Sequence, residues 1–321
     1  MKELPFKFPP METYQGMAFV MGILLADPTK DKVRWNHYVN LQCVKTERLT
    51  NAKLTFTDAL WEEYRLEGLA EMSLYDVANF NAETLERFLC ERIDQGNYLL
   101  LYDIDEYYLS YTEAFEKEHY NHDTYVYGYS EKDFLVFAYR KEHLASFPVP
   151  KQEIINSLLS NQAYKNLNFR RDFCTFRPSV NRSVRLDRKK IHREIQNYLE
   201  RRTLGKAEEN RAYGLAVYDV LLEGLDRLSA SGSLNHLDLR PFRCLMEHKR
   251  IARDRAAVLI KAQDPLILRA GSMVEQAEII FRLMMKYNLT FDKNALRKAR
   301  ARIEQLRKED EAWCKEYLEQ M

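Results

Sequence analysis

Residues 119–139 read HYNHDTYVYGYSEKDFLVFAY, and this stretch decides the predicted fold of the N-terminal half. Two aromatic-rich apolar runs, 124–129 and 134–139, flank the polar loop 130–133. This spacing is typical of a β-hairpin with a four-residue loop. The run YLLLYDI at 98–104 predicts another strand just before it. We therefore expect antiparallel strands in this part of the chain.

Helical patterns precede these strands. Apolar residues recur on one face of 85–93, and Gly96 is placed to end that helix. Residues 11–25 predict a buried helix near the N-terminus, and 35–43 predict a strand. The first half therefore reads as mixed α and β.

The second half reads as almost entirely helical. Prolines at 148 and 150 interrupt regular structure, so we place a domain boundary there. We predict an α+β chain with a domain over 1–150 and an all-helical domain over 151–321. The expected helices cover 151–160, 186–202, 208–229, 241–263, 271–288 and 292–320.

The net charge of +1, from 49 Lys and Arg against 48 Asp and Glu, conceals a strong asymmetry. Residues 1–150 carry 15 basic and 25 acidic side chains, and residues 151–321 carry 34 and 23. The most basic stretch, 170–202, has eleven Lys and Arg against four Asp and Glu. Such a stretch is typical of a solvated basic face, of an acidic-protein docking site or of a nucleic-acid site. Because no stacking aromatics are interleaved at regular spacing, we do not expect nucleic-acid binding.

Cysteine usage and hydropathy indicate a cytoplasmic protein. The cysteines are odd in number and lie 47 to 84 residues apart, so neither a disulfide framework nor a paired zinc site is predicted. The longest apolar run, Met17–Ala26, has ten residues, against the roughly 20 that a membrane-spanning helix needs. We therefore expect no membrane partner.

Several catalytic signatures are missing from the sequence. The chain has no G-x-x-x-x-G-K-[ST] phosphate loop, no G-x-G-x-x-G turn, no G-x-S-x-G elbow and no H-E-x-x-H helix. Nucleotide-dependent and zinc-protease functions lose their usual support, and we expect no cofactor or metal.

A candidate acid–base pair lies beside the predicted hairpin. His122 immediately precedes one strand, while Asp103 and Asp105 lie on the strand before it. An imidazole that meets a carboxylate across neighbouring strands has a fixed tautomer and can serve as a general base. The alternative is a structural histidine at a strand edge. Glu116, His119, His122 and Asp123 could also collect a metal, although no third fixed ligand is marked.

The nucleophile is the weakest part of this hypothesis. Cys43 ends the predicted strand 35–43, whereas Cys90 fits simple helix packing. A buried free cysteine usually acts as a small apolar group, so Cys43 has a structural alternative too.

Polar residues interrupt the apolar helical patterns of the second half. Asp219, Glu247, His248 and Lys249 fit an interhelical network of buried ion pairs and hydrogen bonds. Alternatively, Arg240, His248 and Lys249 face a cleft and hold a phosphate or carboxylate of a substrate.

Several blocks of the sequence resemble a known family. They are DIDEYYLSY (103–111), the stretch 119–139, YGLAVYDVLLEGLDRL (213–228), LDLRPFRCLMEHKRIARDR (237–255) and LMMKYNLTFDKNALRKARARIEQL (283–306). Together they resemble standalone proteins found beside nonribosomal-peptide and related thiotemplated antibiotic assembly lines. The N-terminal part of those proteins is similar to the butirosin-type acyltransferase, a papain-like, cysteine-protease-like fold.

The resemblance implies a papain-like domain over 1–150 that acts on an acyl or peptidyl thioester, with acyl transfer to an amine as the expected activity. It implies an acyl or peptidyl carrier protein as partner. It makes His122 the base, with Gly128 and Tyr129 downstream. The family nucleophile is a cysteine at the start of the first buried helix, and the family acid ends the strand after the base.

Two of these three positions depart from the family pattern. Residues 11–17 contain no cysteine, and Phe-Ala-Tyr occupies 137–139 where the acid is expected. Either Cys43 and Asp105 substitute, or the chain is a non-catalytic binding or scaffold relative. In that second case we expect an aromatic-lined cleft that holds the intermediate, near Tyr107, Tyr108, Tyr125 and Tyr127.

Overall fold

The computed structural model describes residues 1–45, 53–57, 68–140, 143–160, 172–203, 207–230, 236–260 and 264–321. Over these residues the fold is mixed α and β, with antiparallel sheets, strands mainly in the N-terminal half and long helices towards the C-terminus. The described strands are β1 (Lys2–Glu3), β2 (Leu41–Val44), β3 (Leu54–Phe56), β4 (Ala70–Asp76), β5 (Tyr98–Asp105), β6 (Asn121–Tyr129), β7 (Asp133–Arg140), β8 (His143–Pro150), β9 (Asp172–Pro178) and β10 (Arg211–Tyr213). The described helices are α1 (Gln15–Leu25), α2 (Val33–Asn36), α3 (Ala82–Asp94), α4 (Lys151–Ser160), α5 (Arg188–Leu199), α6 (Val217–Ala230), α7 (Arg240–Leu259), α8 (Pro265–Thr290) and α9 (Lys293–Gln320).

The chain forms two compact units. Unit 1 comprises Met1–Asp31 and Leu60–Val184, and unit 2 comprises Lys32–Ala59 and Arg185–Met321. This division differs from a boundary near residue 150, because α4 follows β8 directly and packs on β5 within unit 1.

The sheet of unit 1 has seven strands in the order β4-β9-β5-β6-β7-β8, with β1 paired to β6. Every pairing in it is antiparallel. The predicted hairpin is confirmed as β6 and β7, and the strand predicted at 98–104 is confirmed as β5. Close packing of β1 requires Gly128, because a Cβ there would lie 2.6 Å from the carbonyl oxygen of Lys2.

The three predicted helices of unit 1 are confirmed as α1, α3 and α4, the last with the predicted bounds 151–160. The helix α3 begins with a capping box between Asn81 and Thr84, and its apolar face is buried. The helix α1 packs on β6 and β7, where the Phe19 ring stacks on Tyr125 at 4.9 Å and on Phe137 at 5.8 Å. These contacts hold α1 against the centre of the sheet.

The prediction that 151–321 is all helical is wrong at two strands. In β9, Phe173, Cys174, Thr175 and Phe176 are all buried, since this strand lies between β4 and β5. A strand covered on both faces does not alternate apolar and polar residues, so its period of two is hidden. The second strand is β10, which with the following 3-10 turn replaces the first part of the helix predicted at 208–229.

Unit 2 combines the three-stranded sheet β10-β2-β3 with helices α5 to α9. The strand predicted at 35–43 is divided into α2 and β2. Tyr38 between them has a φ of 61°, which ends extended pairing. The Arg255 guanidinium donates to the carbonyl oxygens of Trp35, His37 and Tyr38, each at 2.9 Å. The helix α7 thus supplies the hydrogen bonds that a neighbouring strand would otherwise provide.

The long C-terminal helices follow their predicted apolar periodicity. In α9 the buried residues recur every three or four positions, from Leu296 through Ile303 to Tyr317. None of the helices within the described ranges combines the length and apolarity needed to cross a membrane.

Candidate functional site

A bulge near the end of β5 sets the geometry of the candidate site. The pairing with β6 shifts between Leu101 and Ile104, and Asp103 has a φ of 48°. Beyond the bulge, Ile104 lies opposite His122 and Asp105 lies opposite Asn121. Because residues opposite each other share a face, Asp105 points to the other face from His122.

The fully buried carboxylate of Asp105 joins three separate segments of unit 1. It accepts hydrogen bonds from the Tyr107 backbone N–H at 3.1 Å, from His119 Nδ1 at 2.7 Å and from Ser160 Oγ at 3.1 Å. The backbone oxygen of Asp105 also accepts from Ser157 Oγ at 2.7 Å. A buried carboxylate is tolerated when its oxygens are satisfied in this way.

His119 is held between Asp105 and an aromatic ring. Its imidazole stacks on Tyr107 at 4.3 Å, and Tyr108 packs edge-on against Tyr107 at 5.1 Å. The His119 side chain remains 41% exposed, and both tyrosines are half-buried. The carboxylate and the ring together fix the orientation of this imidazole.

The structure corrects the predicted partner of His122. His122 Nδ1 lies 3.4 Å from Glu106 Oε1, whereas Asp105 is bound to His119. The His122 side chain is 44% exposed, and its ring stacks beside that of Tyr120. Asp105 is therefore not the orienter of His122. We call residues Asp105–Tyr108 together with His119–His122 the edge cluster.

The start of α1 is fixed to the sheet near the end of β7. Gln15 Nε2 donates to the backbone oxygen of Phe137 at 3.0 Å, and the Tyr139 hydroxyl donates to the backbone oxygen of Glu12. Since β6 and β7 are antiparallel, β7 ends at the same side of the sheet at which β6 begins. Phe137 lies opposite Tyr125, on which α1 packs, whereas His122 lies three residues from Tyr125 along β6. Because side chains alternate along a strand, α1 and His122 lie on opposite faces of the sheet.

Cys43 does not have the properties predicted for a nucleophile. It lies on β2 in unit 2, it is fully buried, and burial raises the pKa of its thiol to about 12. Attack requires a thiolate, which this environment disfavours. Within unit 1, Cys174 is buried in β9 and Cys90 lies on α3, where burial raises its thiol pKa. Cys244 and Cys314 are buried in the helices of unit 2, so all five cysteines lie outside the edge cluster.

The four tyrosines predicted to line one cleft lie in two different environments. Tyr107 and Tyr108 belong to the edge cluster, but Tyr125 and Tyr127 are core residues. The Tyr125 hydroxyl donates to Asp123 at 3.1 Å, and the Tyr127 hydroxyl hydrogen-bonds Ser146. Burial raises the pKa of both phenols. Tyr125 and Tyr127 therefore stabilise the core and do not line an open cleft.

The predicted anion site of Arg240, His248 and Lys249 is also wrong. Arg240 is exposed and binds Asp238 at 2.7 Å at the start of α7. His248 is buried and its Nε2 donates to the backbone oxygen of Val39 at 2.8 Å. Burial and the neighbouring Lys249 lower the pKa of this imidazole to about 3, so it is neutral at physiological pH.

Lys249 belongs to the interhelical network that was the alternative interpretation. Its ammonium lies 2.5 Å from Asp310 Oδ2, which also accepts from the hydroxyls of Tyr198 at 2.5 Å and Tyr218 at 3.0 Å. Burial acts to raise the pKa of Asp310, but Lys249 and these hydrogen bonds hold it below its usual range. Asp219, expected in this network, instead pairs with Arg307 near the surface.

Sequence reasoning missed the partners of Asp105. Ser157 and Ser160 could have indicated these hydrogen bonds. They are small polar residues one turn apart, beside the buried Ile154 and Leu158 of an amphipathic helix. No sequence feature distinguished His119 from His122 as the histidine that binds Asp105. Within the described ranges, no group of three or more His, Cys, Asp or Glu side chains could hold a metal ion.

Comparison with known proteins returned no match: neither a protein-family model nor a curated protein matches this chain.

Proposed function

We propose that unit 1 is a papain-like module that binds an acyl or peptidyl thioester intermediate of thiotemplated peptide antibiotic assembly without cleaving it. The observation that carries the proposal is the edge cluster, in which the buried Asp105 carboxylate orients His119 beside the half-buried rings of Tyr107 and Tyr108. The resemblance implies a site that joins a nucleophilic cysteine, a histidine and an acid.

The residues at the positions that the resemblance implies support binding over catalysis. The helix α1 begins with Gln15, whereas the family helix begins with a cysteine, and an amide side chain cannot form a thioester. The strand β7 ends in Tyr139 and Arg140, so the family acid is missing as well. Acyl transfer through an enzyme thioester would need a thiolate within hydrogen-bond reach of His119 or His122.

The edge cluster offers complementary contacts to a thioester ligand. The half-buried rings of Tyr107 and Tyr108 present apolar surface to an acyl chain. Because His119 Nδ1 donates to Asp105, the free Nε2 of the neutral imidazole is an acceptor, suited to an amide N–H of the carried intermediate. Asp105 orients His119, so this acceptor is preorganised before a ligand arrives. The carrier of such an intermediate would be an acyl or peptidyl carrier protein.

Binding can be measured with S-octanoyl-N-acetylcysteamine as the thioester probe and unacylated N-acetylcysteamine as its control. We expect saturable binding of the thioester by calorimetry, and about tenfold weaker binding in Tyr107→Ala because an aromatic contact face is lost. Tyr129→Ala is the matched control, since Tyr129 is half-buried at the opposite end of β6. Equal affinities for the two probes, or equal losses in the two variants, would contradict the proposal.

A further inference from the structure

The helix α5 carries an unusually dense group of cations. Residues 185–193 contain five Lys and Arg and a single acidic residue, Asp187. Arg185, Arg188, Lys189 and Arg193 are exposed, and we call these four residues the α5 basic face. The opposite side of α5 is buried through Ile191, Ile195 and Tyr198, so unit 2 holds the helix in place.

The charges of the α5 basic face are not neutralised within the described part of the chain. Arg185, Lys189 and Arg193 make no ion pair there, and Arg188 donates only to the backbone oxygen of Leu259, at 3.1 Å. The side chain of Asp187 accepts from the backbone N–H of Lys190 at 2.9 Å, as the N-cap of the helix. Its carboxylate is therefore engaged with the backbone.

Several other cations of unit 2 are paired. Arg307 lies 2.5 Å from Asp219, Arg250 lies 2.6 Å from Glu278, and Lys315 lies 2.6 Å from Glu311. The first turns of α7, α8 and α9 lack acidic residues as α5 does, so the distinguishing feature of 185–193 is its density of exposed cations without an ion pair in the described ranges. Such a concentration of unpaired charge is available to bind a group outside the chain.

We propose that the α5 basic face is a docking surface for an acidic segment of a partner protein. Guanidinium groups bind carboxylates through two parallel hydrogen bonds, and three of the four residues are arginines. Lys189 and Arg193 lie about one turn apart, at roughly 6 Å, which is the spacing of carboxylates at i and i+4 on a partner helix. This inference does not depend on the thioester-binding proposal.

Nucleic acid fits the α5 basic face less well than an acidic protein does. The only aromatic residue of α5, Tyr198, is buried, so the helix offers no ring on which a base could stack.

The test uses the full chain, a fluorescein-labelled polyglutamate peptide and a labelled DNA duplex, with anisotropy read at low ionic strength. The test variant is Arg185→Gln/Lys189→Gln/Arg193→Gln. The matched control is Lys293→Gln/Lys298→Gln/Lys308→Gln, which removes the same charge from exposed positions of α9. All substituted side chains are exposed, and circular dichroism checks that both variants keep the fold.

We expect the wild-type chain to bind the peptide and the α5 variant to bind it about tenfold more weakly, the order expected when three exposed charge contacts are lost. The α9 control should change affinity by less than about twofold. No peptide binding by the wild-type chain, or equal losses in the two variants, would overturn the proposal. If the wild-type chain binds the duplex more tightly than the peptide, and the α5 variant loses that binding, the partner of this surface is a nucleic acid and not an acidic protein.

Discussion

At the scale of single residues, Asp105 is the residue on which the candidate site depends. It has three donors on one buried carboxylate, from the turn after β5, from His119 and from the end of α4. The neighbouring Glu106 is partly exposed and makes one longer contact with His122. The two acidic residues are adjacent in sequence, but their substitution should have different effects.

We expect Asp105→Asn to lower the free energy of unfolding by about 2 kcal/mol, because an amide cannot accept from all three donors and loses the charge of the acceptor. Glu106→Gln should cost less than about 1 kcal/mol, since its contact is partly exposed. Urea denaturation of both variants measures the difference. Equal losses would show that Asp105 does not organise the edge cluster.

The buried imidazole of His248 predicts a pH dependence with a definite sign. Its pKa falls from an ordinary 6.5 to about 3 in the fold, so the unfolded chain binds more protons between these values. The contribution of neutral His248 to the free energy of unfolding is complete above about pH 6.5 and is lost progressively as the pH falls towards 3.

The comparison is between the wild-type chain and His248→Gln, whose amide can still donate to Val39. From pH 6.5 to 5, the wild-type free energy of unfolding should fall more steeply, by up to about 1.4 kcal/mol per pH unit. Gln196→Ser, at an exposed position of α5, changes no titratable group and serves as the control, which should keep the wild-type slope. If the free energy of unfolding falls equally with pH in the wild-type chain and in His248→Gln, His248 does not take up a proton when the chain unfolds.

At the scale of the elements, the helices of unit 2 are joined by the pair Lys249–Asp310 between α7 and α9. The hydroxyls of Tyr198 on α5 and Tyr218 on α6 bind the same oxygen of Asp310, so four helices meet at one carboxylate. A buried ion pair contributes little net stability, but removing one partner leaves an uncompensated charge.

We therefore expect Lys249→Met and Asp310→Asn each to destabilise unit 2 by about 3 to 5 kcal/mol. The double variant should cost about 2 kcal/mol less than the two single losses added together. The exposed pair Lys315–Glu311 on α9 is the control, and Lys315→Met should cost less than about 0.5 kcal/mol. Additive losses at Lys249 and Asp310 in thermal denaturation would contradict the coupling.

Local patterns predicted the elements better than they predicted the contacts between them. The hairpin of β6 and β7 follows from two apolar runs around a four-residue polar loop, and α9 follows from its apolar period. The partner of Asp105 could not be read from the sequence, because the bulge at Asp103 changes which side chains share a face. Asp310 lies 61 residues from Lys249, and no local pattern links them.

At the scale of the whole molecule, sequence order and spatial order differ. The segment Lys32–Ala59 belongs to unit 2 although the chain on both sides of it belongs to unit 1. This arrangement places Cys43 in unit 2 and Gln15 in unit 1. A linear division at residue 150 put Cys43 and His122 in the same domain, and that assumption produced the proposed nucleophile.

The central claim, that the chain binds a thioester without attacking it, is tested most directly by intact-protein mass spectrometry after incubation with S-octanoyl-N-acetylcysteamine. The thiols of Cys43, Cys244 and Cys314 are buried and have raised pKa values. We therefore predict that no cysteine is acylated faster in the folded chain than in the urea-unfolded chain. His119→Ala and His122→Ala should leave that result unchanged. A single acyl adduct that forms rapidly on the folded protein and disappears in either histidine variant would contradict the account.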